Sequence, residues 1–176
     1  MITPGERLPE FQTRACVSVE EGAEFRTLGS GDLSGKWAVI YTYPKDFTFV
    51  CPTEIVEFDQ HRKEFEDRGA VLLGGSTDNE YAHLAWRKSH PQLRRIAHPL
   101  LFVSPEMAAA WGILHPREGV ALRATLIVDP DGIVRHASCN DLSVGRSVAE
   151  ALRVLDALQT GELTPCGWQP GEATLG

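Results

Sequence analysis

Four residues in the 176-residue chain carry a thiol: Cys16, Cys51, Cys139 and Cys166. No two of them form a C-x-x-C pair, so neither a zinc ribbon nor a single-site dithiol fits. Cys51 stands apart because of its neighbours, Tyr43-Pro44-Lys45-Asp46-Phe47-Thr48-Phe49-Val50-Cys51-Pro52-Thr53-Glu54. Pro52 lacks a backbone N–H, which costs nothing in a helix's first turn, so the pattern sets Cys51 at a helix start. The free N–H groups and the dipole of that turn favour an anion, which makes the place one for a nucleophilic thiolate. Thr48, three residues earlier, can aim a hydroxyl at the same spot, and Pro44 can wall it with apolar surface. Arg123 is the candidate cation. The same cysteine could instead be a small buried hydrophobe capping a helix. That plainer role is the reading for Cys16 and Cys139, which have neither a cation nor a helix start beside them in sequence.

Cys51 needs a strand before it and a helix after it. Trp37–Tyr43 is short, apolar and rich in β-branched and aromatic residues, so it predicts a buried strand closed by Pro44. Residues 70–76, 100–103 and 124–128 predict further strands. Asp129-Pro130-Asp131-Gly132 is a turn, with 133–138 as a hairpin partner. Apolar spacing predicts helices over 53–68, 79–88, 105–111 and 147–158, with Gly161 just past the last. Residues 1–35 read as an irregular or hairpin-bearing approach. The order is that of an α/β domain with a mixed β-sheet flanked by helices. Arg123, at the start of 124–128, then lies beside the first strand. Residues 1–160 form the domain, and 161–176 form a C-terminal tail carrying Cys166.

Net charge is -7. That argues against nucleic acid and against anionic membrane surfaces as partners. No apolar run approaches the roughly 20 residues of a membrane-spanning helix. The first residues have no signal-peptide pattern, which makes the cytoplasm the default compartment. There the four thiols are expected to be free. His61, His83, His90, His98, His115 and His136 form no metal signature, Gly74-Gly75 is not followed by the Lys of a phosphate loop, and no cofactor is expected. Trp86 and Trp111 belong to the core or to a subunit interface.

The segment Asp46–Glu54 resembles the active-site motif of the peroxiredoxins, in the typical two-cysteine AhpC branch. Gly35-Lys36-Trp37, Ala121-Leu122-Arg123, Asn140 to Arg146, and the stretches 161–163 and 168–175 resemble the same branch, so the likeness covers nearly the whole chain. The resemblance implies a thioredoxin-like fold and a thiol-dependent peroxidase of antioxidant defence. It would act on hydrogen peroxide and organic hydroperoxides. Cys51 would be the peroxidatic cysteine and pass through a sulfenic acid. Thr48 and Arg123 would complete the catalytic set and Pro44 would shield the thiolate. Glu54 and Arg146 would form a supporting ion pair. A homodimer assembling to a decamer is implied.

The resemblance breaks at Gly161-Glu162-Leu163-Thr164-Pro165-Cys166-Gly167-Trp168. Thr164 stands where the branch usually has its resolving cysteine, and Cys166 lies two residues later. Cys166 is favoured as the resolving thiol, forming a disulfide with Cys51 of a partner subunit. The alternatives are a one-cysteine enzyme resolved by an external thiol, a general thiol–disulfide oxidoreductase, or a ring-forming holdase chaperone or redox sensor. The reductant is a thiol donor: thioredoxin, a flavoprotein disulfide reductase or a lipoyl-linked adaptor. No Gly-Gly-Leu-Gly segment precedes Pro99, and no further helix follows the Trp168 segment. The resemblance therefore implies that Cys51 resists overoxidation.

Overall fold

The computed structural model describes residues 1–176. Its elements are β1 (Gln12–Cys16), β2 (Phe25–Gly29), α1 (Ser30–Leu33), β3 (Trp37–Thr42), α2 (Cys51–Gln60), α3 (Arg62–Asp67) and β4 (Ala70–Ser76). There follow α4 (Glu80–Ser89), a 3-10 turn at Leu93–Arg95, β5 (Leu100–Phe102), α5 (Pro105–Ala110), β6 (Arg123–Val128), β7 (Val134–Asn140) and α6 (Val148–Thr160). The strands form one mixed sheet in the order β2-β1-β5-β4-β3-β6-β7. β4 runs parallel to β3 and β5, whereas β6 is antiparallel to β3. The mixed sheet between helices is thus the one expected, and Arg123 begins the strand beside β3.

Alternation along the central strands splits the core in two. Val39, Tyr41 and Ile127 pack against Ile55 and Phe58 of α2, Phe65 of α3, Trp86 of α4 and Leu152 and Leu155 of α6. Ala38, Ile40, Leu126 and Val128 face the other way, toward Leu33, Ala108 and Trp111. Both tryptophans are therefore core residues. Gly74 and Gly75 serve packing. A Cβ on Gly74 would stand 2.5 Å from the Tyr41 ring, and one on Gly75 would stand 2.8 Å from the Leu101 carbonyl oxygen. Side chains at either position would push β4 away from its neighbours.

Cys51 opens a helix as expected, but the stretch predicted to run to 68 is divided at His61 (φ -91°, ψ 3°), which caps α2 and starts α3. The N-terminal approach carries a hairpin, one of its two expected forms, and β1 also joins the main sheet through β5. β7 runs on to Asn140, opposite Arg123. Its other edge is open.

Candidate active site

Cys51 opens α2, with Val50 as its N-cap and Pro52 behind it. Its side chain is fully buried. The Arg123 Nη1 lies 3.4 Å from Cys51 Sγ. The backbone N–H groups of Thr53 and Glu54 turn back to the Val50 carbonyl, at 3.1 and 3.5 Å, while that of Cys51 donates to no backbone oxygen. A thiolate here would be met by a guanidinium and by the positive end of a helix of 10 residues.

Arg123 is itself held firmly. Its Nε donates to the Leu142 carbonyl at 2.7 Å and its Nη1 to Glu54 Oε2 at 2.5 Å. Glu54 also accepts from Arg146, from the backbone N at 3.0 Å, Nε at 2.9 Å and Nη2 at 3.0 Å. The remaining Nη1 of Arg146 donates to the carbonyls of Thr42 and Ala124, at 2.7 and 2.6 Å. Its guanidinium also sits 5.3 Å from the Tyr41 ring centroid and 5.8 Å from that of Phe58. One buried carboxylate thus balances two buried guanidiniums, and the trio joins α2, β6 and the start of α6. With three hydrogen-bonded partners the arrangement has little rotational freedom, which is what holds a cation beside the sulfur.

A cavity of about 300 Å³ opens onto Cys51, lined by Pro44, Thr48, Phe49, Val120, Arg123 and Leu142 among others. The three residues expected around Cys51, namely Pro44, Thr48 and Arg123, therefore meet it in one cavity. The Thr48 hydroxyl donates to the Lys45 carbonyl at 3.0 Å, which leaves its lone pairs open to a ligand. No hydrogen bond joins it to Cys51.

Sequence reasoning missed what holds the loop before Cys51. The Tyr43 hydroxyl donates to Asp46 Oδ1 at 2.9 Å, and His83 Nδ1 meets Asp46 Oδ2 at 2.7 Å. The other ring nitrogen of His83 faces the Leu101 carbonyl at 3.0 Å. Burial first, and then the Asp46 charge, push the Tyr43 phenol well above its ordinary range, which keeps it a donor. The Asp46 backbone N donates to Asp78 at 2.8 Å. This anchoring holds Phe47 at φ 56°, the one non-glycine residue with positive φ. Such a conformation in an aromatic residue costs on the order of 1–3 kcal/mol and is kept only where surroundings enforce it. His83 gave no signal in sequence because its partner lies in another element.

The remaining cysteines lie elsewhere. Cys16 is buried in β1, where Arg87 Nη1 donates to its carbonyl at 3.1 Å. Cys139 pairs with Ala124 in the register that pairs Asn140 with Arg123, so it points to the sheet face opposite Cys51. Cys166 is exposed and lines a groove with Trp37, Asp129, Pro130 and Arg153. Trp37 begins β3 and Asp129 follows the end of β6, whereas Cys51 lies beyond the other ends of those strands. Cys51 and Cys166 of one chain are therefore about 20 Å apart along the sheet, at about 3.3 Å per strand residue.

Residues 4–137 match the AhpC/TSA family. The alkyl hydroperoxide reductase C of Mycobacterium tuberculosis is 44% identical, over 99% of this chain and 94% of that protein. The thioredoxin peroxidase of Echinococcus granulosus is 40% identical, over 97% of this chain and 91% of that protein. Among solved structures, the reduced 2-Cys peroxiredoxin of Plasmodium vivax superposes with a TM-score of 0.90 at 36% identity, covering 97% of this chain and 91% of that one.

Proposed function

The chain belongs to the AhpC/TSA family, and we propose on that premise that it is a thiol peroxidase of antioxidant defence, with Cys51 as the nucleophile. The observation that carries the reading is the Arg123 guanidinium 3.4 Å from a fully buried sulfur at a helix start. The Cys51 thiolate attacks one peroxide oxygen in line with the O–O bond. The S–O bond forms as the O–O bond breaks, and the departing oxygen takes a proton and leaves as water or alcohol. Arg123 and the free Cys51 N–H donate to the two oxygens, and the Thr48 hydroxyl, its own proton held by the Lys45 carbonyl, accepts from the peroxide's O–H. Charge grows on the departing oxygen, so the donated contacts strengthen in the transition state. Pro44 keeps water from the sulfur, and Glu54 with Arg146 positions Arg123. Hydrogen peroxide and organic hydroperoxides both fit this scheme. The apolar cavity walls accommodate the carbon chain of the latter.

The second half of the cycle falls to Cys166. Its thiolate attacks the Cys51 sulfenic sulfur, the S–S bond forms, and the S–O bond breaks with hydroxide leaving as water. A separation of about 20 Å within one chain favours a disulfide between subunits. The open β7 edge supports a dimer. Two such edges paired antiparallel about a two-fold axis turn one sheet end for end, which brings the Cys166 end of one subunit toward the Cys51 end of the other. Assembly of dimers to a decamer, a cytoplasmic location, the division into domain 1–160 and tail 161–176, and regeneration by thioredoxin, a flavoprotein reductase or a lipoyl adaptor complete the proposal. No helix of the chain is long and apolar enough to cross a membrane.

The test combines two variants. Cys51→Ser is expected to abolish peroxide consumption with the fold intact. Peroxide-treated wild type is expected to run as a disulfide-linked dimer on a non-reducing gel, and Cys166→Ser as a monomer. Turnover surviving Cys51→Ser would overturn the nucleophile assignment, and a dimer persisting in Cys166→Ser would overturn the resolving one.

A further inference from the structure

Residues 162–176 close on themselves. The Leu175 N–H donates to the Leu163 carbonyl at 2.7 Å. The Thr174 hydroxyl donates to Glu162. Trp168 Nε1 donates to the Glu172 carbonyl at 3.1 Å, and the Gln169 N–H donates to the Glu172 carboxylate at 2.8 Å. Beyond Glu162, whose N–H caps back onto Thr160, one hydrogen bond ties this loop to the rest of the chain: Arg153 Nη1 to the Trp168 carbonyl, 3.0 Å. Trp168 is only 4% exposed, yet it belongs to neither core cluster.

Arg153 is aimed at that carbonyl by Glu150, which takes its Nε and Nη2 as a two-pronged pair at 2.7 Å each and leaves Nη1 for Trp168. Arg153 and Cys166 line the same groove, of about 800 Å³. The hydrogen bonds to Glu150 hold the guanidinium proton most strongly, and the Cys166 sulfur is near enough to add to the effect. Seated there, Cys166 lies against its own subunit at the end of the sheet away from Cys51.

We propose that Arg153 is a positioning residue for the resolving step: it pins the Trp168 turn to α6 and so holds Cys166 in its own groove until the tail crosses to the partner's Cys51. The inference rests on the reading that Cys166 resolves. Parting of the Arg153–Trp168 contact then belongs to the barrier for disulfide formation and not to that for peroxide attack.

The test separates the two half-reactions by rapid mixing. Sulfenic acid formation rises in rate with peroxide concentration, and disulfide formation does not. In Arg153→Ala the first rate is expected to match wild type. The second should rise about fivefold, the factor that one net hydrogen bond of about 1 kcal/mol sets at 25 °C. The peroxide concentration that drives half of Cys51 to sulfinic acid should rise by the same factor. Arg153→Lys keeps the charge and the stem but offers one nitrogen where arginine uses three, so its rate should lie between the two. It also decides the matter should Arg153→Ala not fold. A second phase at or below the wild-type rate, with the first phase intact, overturns the proposal. A dimer persisting in Cys166→Ser instead removes the reading beneath it.

Discussion

Replacing Glu54 with glutamine changes one atom's chemistry at the centre of the site. The carboxylate is 4% exposed, accepts four hydrogen bonds from Arg123 and Arg146, and is their only carboxylate partner. Glutamine keeps one acceptor oxygen, turns an N–H₂ toward a guanidinium, and leaves two buried cations without a carboxylate. Breaking a buried pair in this way costs about 3–5 kcal/mol. The near-isosteric replacement opens no cavity, so the low end applies. For a chain of this size about 3 kcal/mol lowers Tm by about 10 °C. Arg123 is the more exposed to catalytic consequence, because the atom that loses its carboxylate partner is the same Nη1 that faces Cys51 Sγ at 3.4 Å. Loss of one aligned donor to a developing anion costs about 100-fold in rate. Thermal unfolding followed by circular dichroism and the second-order rate of Cys51 oxidation should therefore fall together. A variant that loses about 10 °C but oxidises at the wild-type rate would refute the claim that Glu54 acts through Arg123. A variant that loses neither would refute the reading of the trio as a balanced buried cluster.

Thr48→Ser should stay within a few-fold of wild type in peroxide reduction, and Thr48→Val should fall by about fivefold, as expected for the loss of one hydrogen bond of about 1 kcal/mol accepted from the peroxide's O–H. Burial holds the His98 imidazole below its ordinary range, with Asp59 pulling the other way. Neutral His98 accepts from the Tyr41 hydroxyl at 2.6 Å and donates to Asp59 at 3.0 Å. The unfolded chain therefore takes up that proton first, so this contribution to stability is full above about pH 6.5 and is lost as pH falls below it. Tm should drop between pH 7 and pH 5, and less steeply in His98→Gln. Arg95-Ile96-Ala97-His98 precede Pro99, so Cys51 should resist sulfinic acid formation at modest peroxide excess. Mass spectrometry showing ready sulfinic Cys51 there would count against it.

β3 and β4 were legible because they are buried on both faces and read as continuous apolar runs. The β1–β2 hairpin was legible only as one of two forms for residues 1–35, because Gln12, Arg14, Arg26 and Thr27 interrupt its pattern, and its place in the main sheet was not, because its partner β5 lies some 85 residues on. The Cys51 pocket was legible where chemistry lies along the chain: Pro44, Thr48 and the helix start. Arg123 followed from placing its strand beside β3. Glu54 and Arg146 came only from the resemblance, since nothing in periodicity marks a buried carboxylate between two arginines. The Tyr43–Asp46–His83 anchor and the Arg153–Trp168 contact needed coordinates, because each joins residues whose proximity arises from the packing of separate elements.

On the proposed reading that Cys166 resolves Cys51 between subunits, the placement of the two cysteines at opposite ends of one sheet makes the resolving couple a property of pairs of chains. The proposed dimer would then contain two couples, each built from one cysteine of each subunit. Equal amounts of Cys51→Ser and Cys166→Ser chains, unfolded and refolded together, would give mixed dimers in about half of the population, by random two-fold pairing. Each mixed dimer would regain one intact couple of two, about a quarter of the wild-type total. Neither variant alone could form any. Complementation between two inactive proteins would thus report the length of a β-sheet.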